Sequence, residues 1–275
     1  MAFREGRLFD LNAGSSSLPS SLREALQEDG WREGLAAAAE QAPEVDWTPA
    51  DLLAPLSPGK VLCIGRNFAA HAEELGHATV DARPEVFVRT ATSLAAPHAD
   101  VARPRVSDQL DYEVELAVLI GRRGRYIPAE RALEHVAGYC VFNDMSVRDY
   151  QITREQWTAG KNFDGTGPLG PFLVTSDEVP DPHALELSTV VISPDGGEQQ
   201  LQRSSSAMLV HRIPELIAYI TEWATLEPGD VIATGTPPGV GLGRTPPRWL
   251  VPGETLVSKI YGLGELRNRI VDDSP

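Results

Sequence analysis

Residues 110–121 read LDYEVELAVLIG, with three carboxylates, Asp111, Glu113 and Glu115, at alternate positions. Tyr112, Val114, Leu116 and Val118, between and after them, are aromatic or apolar. A period of two is that of a β-strand, in which alternate side chains share one face. Acidic residues form strands poorly, and like charges at this spacing repel. The acidic face therefore calls for a positive partner, and a hard divalent cation bound by oxygens is the simplest one. The competing reading is a half-buried strand whose acidic face is solvated.

Short apolar runs bounded by Gly, Pro or Asp recur on either side: KVLCIG, EVFVRT, HVAGYCVFNDMS, GPFLVT, LSTVVIS, DVIATGT and TLVSKIYGLGELRNRIV. Closely spaced strands with Gly/Pro turns predict a β-rich barrel or sandwich. Two helices are predicted among them, NFAAHAEELG and PELIAYITEWATL, the second with Pro214 in its first turn. Residues 1–58 differ in character. Ser21-Leu-Arg-Glu24 fits a capping box, the segment from Trp31 is Ala-rich, and Pro43, Pro49, Pro55 and Pro58 then break the pattern. The expected organisation is a small N-terminal lobe, 1–58, and a catalytic domain, 59–275. The short Ser15–Ser17 and Ser204–Ser206 tracts read as loops.

Composition excludes several functions. The 275-residue chain is 42% hydrophobic with a net charge of −15, which argues against nucleic-acid binding. No run approaches the roughly 20 apolar residues of a membrane span, and MAFREGRLFDLN lacks a signal-peptide core. Cys63 and Cys140 lie in apolar surroundings without zinc-site spacing, so buried free thiols in a reducing cytoplasm are expected.

Further clusters carry chemistry. Asp144 ends an apolar run, and Arg148 and Gln151 follow at spacings that a helical turn would place on one face with it. Glu113, Glu115 and Asp144 together would form an open three-carboxylate site suited to Mg²⁺ or Mn²⁺, with Ca²⁺ as a crystallographic substitute. Lys161 is the only base in the Gly/Pro-rich loop 158–175, and Thr236 lies in a second such loop, 233–243, where its hydroxyl and N–H suit a carboxylate. His71 and Glu74, three residues apart, would be neighbours on a helix and able to activate water. There is no G-x-S-x-G elbow and no phosphate loop.

In order, GRNFAAHAEELG, DYEVELAVLIG, FNDMSVRDYQ, GKNFDGTGPLGP and TGTPPGVG resemble the fumarylacetoacetate hydrolase family, from about residue 60 to the C-terminus. The resemblance implies a mixed α/β, β-rich roll and a homodimer. It implies Mg²⁺ or Mn²⁺ on Glu113, Glu115 and Asp144, with Asp111 in support. Arg148, Gln151, Lys161, Gly235 and Thr236 match substrate-contacting positions, Lys161 also a catalytic one, and His71 and Glu74 match a water-activating pair on a lid. One departure is Phe87-Val-Arg89-Thr90-Ala91, where relatives have Phe-x-Lys-Pro-Ser/Thr. Arginine keeps the charge but changes its geometry, so a reshaped substrate wall is expected there, with the N-terminal lobe and Pro246–Pro252 as further contributors.

The activity implied is metal-dependent C–C hydrolysis of a 2,4-dioxo acid such as fumarylpyruvate, through a metal-stabilised pyruvate enolate. Alternatives on the same scaffold are decarboxylation of an oxaloacetate-like acid, or isomerisation or hydration of an unsaturated 2-oxo acid. A non-catalytic binding protein is the remaining one.

Overall fold

The computed structural model describes residues 1–15, 18–153 and 155–273. Ser16 and Ser17 of the first serine tract lie outside the described residues. Val114–Ile120 runs through the middle of the molecule, all seven residues buried. It pairs antiparallel with Val136–Asn143 on one side and with Val231–Ala233 on the other. Across this sheet the order is Glu85–Arg89, Val61–Gly65, Val231–Ala233, Val114–Ile120, Val136–Asn143, Gly167–Thr175, Leu94–Ala95. A second sheet runs Glu198–Ser205, Glu186–Ile192, Thr255–Ile260, Gly264–Asp272, Val101–Arg103. The fold is mixed α/β and strand-rich, with a curled sheet.

The two faces of the central strand meet different cores. Val114, Leu116, Val118 and Ile120 pack with Ile213, Leu216, Ile217 and Ile220 of the helix Ile213–Trp223 and with Leu187, Ile260 and Leu266 of the second sheet. Those helix positions follow the 3.6-residue period of an amphipathic face. Ala117 and Leu119 face the other way, onto a cluster shared with Leu26 and Leu56 and flanked by Leu22 and Trp31. Residues of the first 58 thus cover this second face, through Leu22, Leu26, Ala54, Leu56 and Trp31 at the start of the helix Trp31–Gln41; Ala2–Arg4, Arg7–Phe9 and Glu44–Val45 form a separate small sheet. Ser21 caps Leu22–Ala25 through the Glu24 N–H, at 3.2 Å. Each fully buried Leu or Ile here stabilises the fold by about 1.5–3 kcal/mol.

Three expectations need correction. Residues 110–121 are not one strand: Leu110–Asp111 pairs separately with Ser146–Val147, and regular structure lapses at Tyr112 and Glu113. Side chains take the backbone donors there, Asp111 Oδ1 accepting from Tyr112 N–H and Asn143 Oδ1 from Glu113 N–H, which competes with ladder pairing. Ser204 and Ser205 are strand residues, Ser204 lying opposite Leu187. Asp144 does not share a helix with Arg148 and Gln151, because the turn Arg148–Gln151 begins only after the bridge Ser146–Val147. Cys63 and Cys140 are buried and free. Among the described residues no helix is long and apolar enough to cross a membrane.

Candidate active site

Antiparallel register builds the acidic cluster. Glu115 lies opposite Phe142, and Asp144 N–H donates to the Glu113 carbonyl at 2.9 Å. Ligand oxygens of Glu113, Glu115 and Asp144 consequently lie within 4.8 Å of one another, and all three side chains are buried. This burial removes the reading of a solvated strand face.

Three cations are built against the cluster. Lys161 Nζ lies 2.6 Å from Glu113 Oε2 and 2.5 Å from Asp144 Oδ2. Arg148 contacts Glu113 at 2.7 Å and Asp111 at 2.7 Å. Arg89, wholly enclosed, contacts Asp144 Oδ1 at 2.6 Å and also donates to the Met145 carbonyl and Thr166. The turn Thr158–Lys161 brings the lysine in by pressing Gly160 against Gln151; a Cβ there would lie 2.5 Å from the Gln151 backbone nitrogen.

Four carboxylates, with Asp111 included, thus meet three cations. Among the described residues Glu115 is the one left without a cationic hydrogen-bond partner, accepting only from Gly235 N–H, at 2.8 Å. Burial alone would raise the Glu113 carboxyl, but Lys161 and Arg148, with His71 beyond them, hold it down at about 2. Burial, then Asp144 and Glu113, push Glu115 well above the ordinary carboxyl range. Burial opposes the charge on Lys161, yet Asp144 and Glu113 keep its pKa raised. A buried carboxylate lacking a counter-charge beside two further oxygen donors fits a hard divalent cation. With the cation bound, the centre would carry a net positive charge and favour an anion.

One consequence distinguishes the three acids. Glu115→Gln is expected to leave the metal-free protein as stable or more stable, since it replaces a buried acid that has no cationic partner and whose ionisation burial, Asp144 and Glu113 oppose. The same change should weaken Mn²⁺ binding by at least the roughly 10–100-fold typical of altered outer partners. Paired urea melts and Mn²⁺ calorimetry check both signs; unchanged Mn²⁺ affinity would remove Glu115 from the ligand set.

A cavity of about 500 Å³ opens onto the cluster. His71, Glu74, Arg148, Gln151, Lys161 and Thr236 line it with the three acids. His71 and Glu74 sit on the short helix Ala69–Glu74, with Nδ1 and Oε2 3.1 Å apart. Glu74 Oε1 accepts from Gly239 N–H at 2.9 Å, tying this helix to the second Gly/Pro loop. A proton on Nδ1, facing the carboxylate, leaves His71 Nε2 as the base.

Other expected residues take different positions. Thr236 donates its hydroxyl to the Val114 carbonyl and accepts from Gln202 Nε2, so its O–H is committed and its backbone N–H is the donor left for a ligand. Gly235 is not in the cavity wall; its N–H orients Glu115. Asp111 lies outside the ligand cluster and holds Arg148 while accepting from Gly241 and Leu242 N–H. Among the described residues, neither Arg89 nor any of 1–58 or 246–252 lines the cavity.

Sequence reasoning missed Asn67, Asn143 and Gln202. Asn67 bonds His211 in both directions and donates to the Thr234 carbonyl, fixing the entry to the helix Ala69–Glu74. Gln202 accepts from Val114 N–H and Thr189 and donates to Thr236 and the Pro237 carbonyl. Asn67 lies within GRNF and was accessible to motif reading; Gln202, in EQQLQR, carries no such signal.

The family model described as fumarylacetoacetate hydrolase, C-terminal, matches residues 60–271. A Bos taurus protein named mitochondrial oxaloacetate tautomerase is 41% identical over 271 residues, covering 97% of this chain and 84% of that protein. A fumarylacetoacetate hydrolase from Exiguobacterium antarcticum superimposes with TM-score 0.83 at 34% identity, covering 98% of this chain and 93% of that one. A 5-carboxymethyl-2-hydroxymuconate delta-isomerase from Mycobacterium smegmatis gives 0.72 at 38% identity, covering 86% and 88%. On the matched motifs, the sheet and the buried acidic cluster, the chain belongs to the fumarylacetoacetate hydrolase family of enzymes.

Proposed function

We propose that the protein moves a proton at C3 of a 2-oxo acid, as a keto–enol tautomerase or double-bond isomerase dependent on Mg²⁺ or Mn²⁺. The observation that carries this is the His71–Glu74 pair sharing one cavity with the buried Glu113–Glu115–Asp144 cluster. The names of the bovine and mycobacterial relatives support it. A divalent cation held by the three acids would supply Lewis acidity to the neighbouring oxygens of a 2-oxo acid. Lys161, Gln151 and the Thr236 N–H orient the acid's carboxylate. His71 Nε2 takes the C3 proton, the C–H electron pair becomes the C2–C3 double bond, and the proton is returned to oxygen or to a conjugated carbon. Glu74 stabilises the imidazolium between the two transfers.

A second reading is hydrolysis of a 2,4-dioxo acid, with the same pair deprotonating water. The cavity favours it, since space continues past the acids along Phe87, Trp157 and Leu242, beyond what a four-carbon acid fills. The deciding experiment supplies oxaloacetate, a 2-hydroxymuconate-type acid and an acylpyruvate to Mn²⁺-loaded and EDTA-treated protein, with products followed by NMR. Metal-dependent tautomerisation or isomerisation without pyruvate release supports the first reading. Pyruvate release from the acylpyruvate alone supports the second, and no turnover of any of the three overturns both. Light scattering of the same preparation tests the expected homodimer.

Carboxylate anchoring gives a separate prediction. Lys161→Ala is expected to weaken competitive inhibition by oxalate by about 1.5–3 kcal/mol, the scale of a hydrogen bond to a charged group. Metal affinity should not fall, because Lys161 occupies the same Glu113 and Asp144 oxygens that a cation would use. Unchanged oxalate inhibition would exclude this lysine from the anion site.

A further inference from the structure

The cavity continues outward from Lys161 along an aromatic wall. Lys161 Nζ lies 5.2 Å from the Phe87 ring centroid, Phe87 meets Trp157 edge-on at 5.3 Å, and Arg66 lies over Trp157 at 5.5 Å. One cation therefore stands at each end of an apolar wall made of two rings set 70° to one another. The wall depends on Gly65, where a Cβ would lie 2.5 Å from the Trp157 ring. The next residue, Arg66, adopts φ +51°, a left-handed conformation unfavourable for a residue with a long side chain. Such strain is retained where the surroundings fix it and commonly marks a functional position.

The Arg66 side chain is 24% exposed and lines the mouth of the cavity. Its Nη2 lies 2.7 Å from Glu85 and 3.9 Å from Asp81, and its Nη1 lies 3.1 Å from His77 Nε2. Glu85 and the Trp157 face hold the guanidinium plane in place. Its Nε–H has no hydrogen-bond partner among the described residues. A planar cation fixed in this way is pre-organised for a carboxylate and loses little freedom on binding it.

We propose that Arg66 is a second anion-binding residue, which takes the distal carboxylate of a 2-oxo diacid whose chain lies against Phe87 and Trp157. This rests on the reading that the 2-oxo acid end binds at Lys161 and the acidic cluster. The diacid is longer than oxaloacetate, whose two carboxylates are only three bonds apart. A chain covers roughly 1.2 Å per bond, since three backbone bonds span about 3.6 Å, so four carbons cannot reach past even the first aromatic ring. An extended or conjugated chain of six or seven carbons suits the wall better and would pack along the two rings.

Calorimetry on the Mn²⁺-loaded protein tests this with pairs that differ only in the terminal group. The pairs are 2-oxoadipate against 2-oxohexanoate, and 2-oxopimelate against 2-oxoheptanoate, with oxalate as the probe of the inner end. In the native protein the diacid of at least one pair should bind ten-fold or more tighter than its monoacid counterpart. Arg66→Gln should abolish that difference by weakening the diacid alone, and Arg66→Lys should restore part of it. If Arg66→Gln weakens both members of a pair equally, Arg66 only fastens the lid to Glu85 and the proposal fails. Absence of a diacid preference at both lengths also overturns it while oxalate still binds. If oxalate itself does not bind, it is the reading of the inner site that fails.

Discussion

Glu74→Gln is expected to lower turnover by roughly 10²–10⁴-fold, the range for loss of a general base or its partner. The size follows from the two bonds that Glu74 makes. Its Oε1 accepts from Gly239 N–H and its Oε2 faces His71 Nδ1. A glutamine has one oxygen, and Gly239 N–H requires it. The amide NH₂ then faces His71 Nδ1, so Nδ1 becomes the acceptor and the ring proton moves to Nε2. The nitrogen directed at substrate can no longer accept a proton, and no carboxylate remains to stabilise an imidazolium. Mn²⁺ and oxalate affinities should stay within a few fold of the native values, because neither the acidic cluster nor Lys161 is touched. The expected signature is a fall in kcat with little change in oxalate inhibition. Native turnover in this variant would place proton transfer on another residue.

The residues that carry this chemistry were legible because they announce themselves locally. Alternating acids in LDYEVELAVLIG, the His-x-x-Glu spacing and the lone lysine of a small-residue loop are each visible within a dozen positions. Strand positions were equally readable, since fully buried strands are apolar runs between turn residues. Less readable was where hydrogen bonding interrupts such a run. The lapse at Tyr112 and Glu113 arises from Asn143, thirty positions away from Glu113. Gln202 lies 88 positions from Val114 and looks like any polar residue of a half-exposed strand. Thr236 lines the cavity, but of the hydroxyl and N–H that its loop suggests for a carboxylate, the hydroxyl is already bonded to the Val114 carbonyl and Gln202. Periodicity reports which face a side chain takes, and only tertiary packing decides what already satisfies it there.

Arg89 gives the sharpest contrast between a motif departure and its structural meaning. As part of a substrate wall, its replacement would alter substrate choice and leave stability unchanged. In the structure it is a brace. Its four hydrogen-bonding contacts run to Asp144, the Met145 carbonyl, Thr166 and Ser93, and its side chain has no exposed surface. Arg89→Met fills most of the volume but leaves one oxygen of a buried carboxylate without its cation. Breaking a buried pair from one side costs about 3–5 kcal/mol, and the lower end is expected here because Lys161 still holds the second Asp144 oxygen. Urea melts of the metal-free protein should register that loss. Arg89→Lys should recover part of it, since an ammonium can reach Asp144 but cannot also span Thr166 and Ser93. A loss below about 1 kcal/mol in Arg89→Met, combined with altered substrate preference, would restore the wall reading. The brace reading also implies that the position is tuned for the ligand set: Arg89 offsets the charge that Asp144 presents to Lys161 and to a cation, leaving Glu115 as the acid whose charge is met only when the metal binds.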